Sequence, residues 1–169
     1  MIHYHGTPLT PRAELMTMAG EHFCVSYWTP TDIDVCMAIG QSVMLDNGAF
    51  SAWRAGEPVT DWKPYYEWVA FLRRLPSFDF AIIPDVIDGD EEANNALIAE
   101  WPWRNNFKDH GVGVPVWHMH ESLARLKGLA HQWPRVAIGS SGEFATVGND
   151  RWWQRMGLAI NAVCDREDR

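Results

Sequence analysis

Two aspartates stand where an apolar run stops, and each is followed by residues that turn the chain. In SVMLDNGAFSAW, Asp46 precedes Asn47 and Gly48, a pair that permits a sharp turn with positive φ. In FAIIPDVIDG, Asp85 follows an apolar run whose exit is fixed by Pro84. If both runs are strands, both carboxylates face the space beyond the strand ends. Proximity then pushes their pKa values apart, so that one is ionised and the other protonated, and such pairs serve glycosyl transfer. The structural alternative is that Asp46 braces its own turn, while Asp88 or Asp90 caps a helix.

The segment VPVWHMHE sets His118 and His120 two residues apart, which on a strand places both imidazoles on one face. His3 and His5 in IHYHG repeat the spacing. With His118 they would form the ligand set of a metal-dependent hydrolase of the amidohydrolase type; hydrogen-bonded core or rim histidines are the alternative. The turn IGSSGEF, with Gly139, Ser140, Ser141, Gly142 and Glu143, offers backbone N–H and C=O groups without bulky side chains. Such a turn suits a flat heterocycle or an anion, or simply connects a strand to a helix. It matches neither the GxGxxG fingerprint nor a P-loop. Asn47, Gly48 and Phe50, which follow Asp46, complete the set of binding candidates.

Six apolar runs position these residues, each followed by a stretch with helical periodicity, the pattern of βα units on a parallel sheet. Residues 2–5 lead to a helix with Thr10 as N-cap, Pro11 at its first position and Gly20 as its stop. Residues 23–27 lead to a short helix capped by Thr29 or Thr31 and closed by Gly40. Residues 42–45 enter the loop DNGAFSAW, and residues 61–74 form an amphipathic helix. Residues 80–83 precede a helix with Glu91 and Glu92 in its first turn. Residues 114–118 precede a helix showing Leu123, Leu126, Leu129 and Trp133. Residues 135–138 precede the GSSGEF turn and a last helix, capped by Asn149 or Asp150, running to about Val163.

The 169 residues form one α/β domain with no internal linker or repeat. A closed eight-unit barrel usually takes about 200 residues or more. Six units therefore imply an incomplete TIM-barrel-like fold, with an open doubly wound parallel sheet as the alternative. Ligands bind at the carboxyl ends of the strands in either case. The net charge of −8 disfavours capture of a nucleic acid, because Lys and Arg supply most of that affinity. Three separated cysteines signal neither a disulfide framework nor a zinc site, and point to the cytoplasm. No signal peptide or membrane span is expected. No cofactor is expected either. The edges of an unclosed sheet need covering, which a homodimer would do.

Taken in order, these segments resemble the tRNA-guanine transglycosylase superfamily, including phage-type relatives that act on DNA with 7-deazaguanine bases. LDNGAFSAW is similar to the family's DSGGFQ-type motif, and IIPDVID to the strand bearing its base-recognising Asp. VPVWHMHESLARL sits where the family has a VQGG-type segment, and AIGSSGEF resembles its IGGLAVGE-type turn. The resemblance implies that Asp46 and Asp85 attend the base, that His118 stands near the family's Gln, and that Gly139, Ser140 and Ser141 line the base pocket. It also implies a barrel. This chain departs from the family in lacking the Cys-rich zinc subdomain and an Asp on a later strand to serve as nucleophile. Asp165 and Asp168 have no strand before them and do not inherit that role.

Three functions follow as expectations. The first is N-glycosyl transfer or hydrolysis on a purine-like, 7-deazaguanine-type base of a nucleoside, nucleotide or nucleic acid, with Asp46, Asp85 and His118 as catalytic residues. The second is the metal-dependent hydrolase. The third is a binder of bases or nucleotides without catalysis.

Overall fold

The computed structural model describes residues 1–104 and 111–164. Five strands form one parallel sheet in sequential order: β1 (Tyr4–Gly6), β2 (His22–Ser26), β3 (Ser42–Asp46), β4 (Phe78–Ile82) and β5 (Gly113–Val114). Pro115 then interrupts the ladder, because it has no N–H to donate. The chain continues as β6 (Val116–His118), which pairs in parallel with β7 (Ala137–Gly139). No reversal of strand order, the defining feature of a doubly wound sheet, occurs among the described strands.

The central strands alternate cleanly. Phe23, Val25, Val43 and Leu45 are fully buried, while His22, Cys24, Ser26, Ser42, Met44 and Asp46 lie on the opposite face and are less buried. The buried face packs against Leu15 of α1 (Arg12–Met16), Cys36 of α2 (Ile33–Ile39), Tyr65 and Val69 of α4 (Lys63–Leu72), and Ile98 of α5 (Glu91–Glu100). Leu126 and Leu129 of α6 (Leu123–Gln132) and Ala159 of α7 (Asp150–Cys164) extend the same core.

The other face is concave. Tyr4 on β1 hydrogen-bonds Asp79 on β4 and accepts from Ser42 Oγ at 3.4 Å; Arg135, just before β7, donates to Asp79 at 2.8 Å. Three strand spacings in a flat sheet amount to about 14 Å, more than a tyrosine and an aspartate side chain together cover. The sheet must therefore curl to bring β1 and β4 within reach.

Several helix starts differ from the sequence reading. Pro11 itself occupies the N-cap position of α1, so Thr10 lies outside the helix, and α2 begins after Asp32 rather than Thr29 or Thr31. Asp32 is held instead by Leu9 N–H at 3.2 Å and by Arg12 at 3.8 Å. Asp90 caps α5 by accepting from Ala93 N at 2.8 Å, and Asn149 caps α7 by accepting from Trp152 N at 2.8 Å. The stretch expected to be a loop after Asp46 is the helix α3 (Ala49–Ala55). Among the described residues no helix is long and apolar enough to cross a membrane.

The core assignment is testable by urea unfolding. Phe23→Ala, at a fully buried sheet position, should cost about 3–5 kcal/mol. Phe71→Ala, on the exposed side of α4, should stay within about 0.5 kcal/mol of wild type.

Candidate active site

Asp46 is the last residue of β3, and the alternation that buries Val43 and Leu45 under helices turns its carboxylate to the concave face. The chain then bends through Gly48, whose φ of +77° favours glycine; a Cβ there would lie 2.8 Å from Trp28 N. The bend lets Gly48 N–H donate to Asp46 Oδ2 at 3.0 Å. Burial raises the pKa of Asp46 above its ordinary value of 3.8, the Gly48 and Ser26 hydrogen bonds oppose the rise, and the charge of Asp85 adds to it. Cys24 on the same face is pushed up to about 12, by burial first and then by Asp46, so it remains a thiol at neutral pH.

Asn47 is 3% exposed and uses its amide fully. Nδ2 donates to Ile83 O at 2.9 Å and to Asp85 Oδ1 at 2.7 Å, while Oδ1 accepts from Ala49 N at 2.8 Å at the start of α3. The other oxygen of Asp85, Oδ2, lies 2.9 Å from His118 Nε2, a close approach that is not aligned as a hydrogen bond. His118 is buried, and its Nδ1 has no hydrogen-bond partner among the described residues. Gly139 on the neighbouring strand leaves room for this ring: a Cβ there would sit 2.9 Å from Nδ1.

Asp46, Asn47, Asp85, His118, Gly139 and Ser141 border one hollow of about 360 Å³. Phe50, Ile87, Ser140 and Ser141 also border an adjoining, more apolar chamber of about 610 Å³, which Trp53, Arg54, His120 and Gly142 share. Two expected site residues stand apart. Gly48 shapes the bend behind Asp46 without bordering either space, and Glu143 points to the surface, where Arg151 pairs with it at 3.2 Å. Ser140 accepts from Trp152 Nε1 at 2.8 Å, which ties the turn to α7.

The metal set is not assembled. His3, just before β1, packs edge to face on His5 at 4.6 Å between ring centroids, His5 faces Glu21 at 3.8 Å, and neither borders the hollow that holds His118. Among the described residues no three His, Cys, Asp or Glu side chains gather as a metal site. Asp165 and Asp168 lie outside the described residues.

Sequence reasoning missed a buried support behind the site. Glu121 accepts from His118 N–H at 2.8 Å, from Arg125 at 2.6 Å and from Asn94 Nδ2 at 3.0 Å; Asn94 Oδ1 in turn accepts from Val86 N at 2.8 Å. Glu121 was visible in HMHE beside the two histidines, but nothing in the spacing of Asn94 or Arg125 marked them. Trp53 was hidden as well, although Phe50 was a candidate: α3 buries Ala49 and Ala52 and exposes its two large rings, the reverse of an ordinary amphipathic helix.

No family model, curated protein or solved structure matches the chain.

Two variants test this arrangement. Gly139→Ala has to displace the His118 ring and should cost about 1–3 kcal/mol in urea unfolding. Asp46→Asn should act oppositely at neutral pH. The raised folded pKa of Asp46 means that ionisation weakens the fold: the penalty is absent below the ordinary value of 3.8 and complete above the raised one. The variant, which cannot ionise, should melt above wild type at pH 7, with the gain shrinking as pH falls toward 4.

Proposed function

We propose that this chain is an N-glycosyl enzyme that exchanges or removes a purine-like base, built as an incomplete TIM-barrel-like fold. The observation that carries this reading is the convergence of Asp46 and Asp85, from the ends of neighbouring strands, on one hollow edged by the Gly139–Ser140–Ser141 turn. The sequential order of parallel strands and the curl that joins Tyr4 to Asp79 support the barrel-like part.

The two acids are differently placed, as divided roles require. Asp46 is desolvated and more basic than an ordinary carboxylate, which suits attack on an anomeric carbon or removal of a proton from water. As it attacks, the bond from sugar to base breaks, the electron pair goes to the base, and a second base or water later takes the sugar. Asp85 is held by Asn47 and faces His118, a fixed acceptor for the N–H edge of a base. The backbone of the turn would meet the remaining edge of the ring. A volume of about 360 Å³ is within the range of small-molecule sites. The net charge of −8 favours a nucleoside or nucleotide over a long polyanion. Three unpaired cysteines support a cytoplasmic setting.

The test is incorporation of labelled guanine into guanosine and into a guanine-containing oligonucleotide, with release of free base followed in parallel. Asp46→Asn should lower turnover by about 10²–10⁴-fold in a protein that remains folded. Wild-type activity in the variant would refute the reading.

A further inference from the structure

Departure of a base from a sugar needs a proton as well as a nucleophile. The carboxylates and the amide at the floor of the hollow are engaged: Asp46 by Gly48 and Ser26, Asp85 by Asn47 and His118, and Asn47 by three partners. One hydroxyl stands differently. Ser141 borders both the inner hollow and the outer chamber, is itself 6% exposed, and places Oγ 2.8 Å from Nδ1 of His120.

His120 is exposed on the outer side, where it meets water. Its Nε2 lies 3.3 Å from the carbonyl oxygen of Gly89, which can only accept, so Nε2 carries a hydrogen. In the neutral ring Nδ1 is therefore the acceptor, and Ser141 O–H donates to it. Once the ring is protonated, Nδ1–H donates to Ser141 Oγ instead. The hydroxyl hydrogen is then released toward whatever fills the inner hollow.

We propose that Ser141 and His120 form a proton relay, in which Ser141 protonates the departing base and the protonated His120 ring resupplies Ser141 through Nδ1. The inference rests on the N-glycosyl reading. The step balances: the glycosidic electron pair goes to the base, the base takes the Ser141 hydroxyl proton, Ser141 takes the Nδ1 proton, and once the base has left, water entering the inner hollow returns a proton to Nδ1 through Ser141. The groups around His120 are two carboxylates, Asp88 bordering the same chamber and Glu91 interacting with it electrostatically. They are opposed by the Arg54 guanidinium across the chamber, and the ring of His118 stacks against His120 at 5.6 Å. Ser140, although adjacent, has no imidazole behind it; its Oγ accepts from Trp152.

Leaving-group dependence tests the relay. A p-nitrophenyl β-riboside departs without protonation, whereas guanine does not. His120→Ala should slow the guanine substrate that wild type turns over by about 10²-fold or more and leave p-nitrophenyl release nearly unchanged. His120→Gln, which keeps a hydrogen-bonding side chain but carries no transferable proton, should show the same split. Added imidazole should restore part of the guanine reaction to His120→Ala and none to Ser141→Ala. Equal losses on both substrates, or no loss on guanine, would overturn the relay and leave the N-glycosyl reading standing. Wild-type inertness toward both substrates would overturn the two together.

Discussion

The amide of Asn47 joins the ends of two neighbouring strands, and the position of both acids follows from it. Its two hydrogens go to the Ile83 carbonyl and to the Asp85 carboxylate, and its oxygen receives the first N–H of α3. A buried amide left with one of these bonds unmade costs about 1–3 kcal/mol, so the three contacts form together or not at all. In forming, they fix the distance between β3 and β4 at their carboxyl ends. They also start the helix that carries Phe50 and Trp53 over the cavity.

Behind that tie lies a second. Glu121 collects His118 N–H, Arg125 and Asn94, and Asn94 also holds the chain after Asp85 through Val86. A buried ion pair is weak evidence for stability, since desolvating both charges offsets most of their attraction. It is stronger evidence for position. Removing one partner strands the other, so the network tolerates one arrangement of the loops after β4 and β6. Arg155 reinforces it from α7 by donating to the Met119 and Glu121 carbonyls, with its guanidinium 5.1 Å from the Trp117 ring centroid.

Much of this frame was legible in the sequence. All six apolar runs correspond to strands, with the fifth divided at Pro115, and Asp46 stands at the end of the third. The stop at Gly40 was also readable, and the caps were narrowed to Asp88 or Asp90 and to Asn149 or Asp150, of which Asp90 and Asn149 serve, because such signals depend on local chemistry alone. The segment after Asp46 was not. Its Asn-Gly pair reads as a turn, yet the turn occupies two residues and a helix follows whose inward face is only alanine, so no apolar stripe announces it. The pairing of Glu121 with Asn94 spans 27 residues and leaves no trace in spacing. Glu143, which looked like part of a binding turn, is drawn away by Arg151, a partner that only the start of α7 supplies.

The central claim is spatial: two strand-end carboxylates and a small-residue turn enclose a single place for a flat ring. A crystal structure of the protein soaked with guanine tests it most directly. The account predicts the ring in the inner hollow, with Asp85 and the backbone of Gly139–Ser141 at its edges and Asp46 facing the position a sugar would occupy. A ring bound elsewhere, or Asp46 and Asp85 opening separately into bulk water, would contradict it.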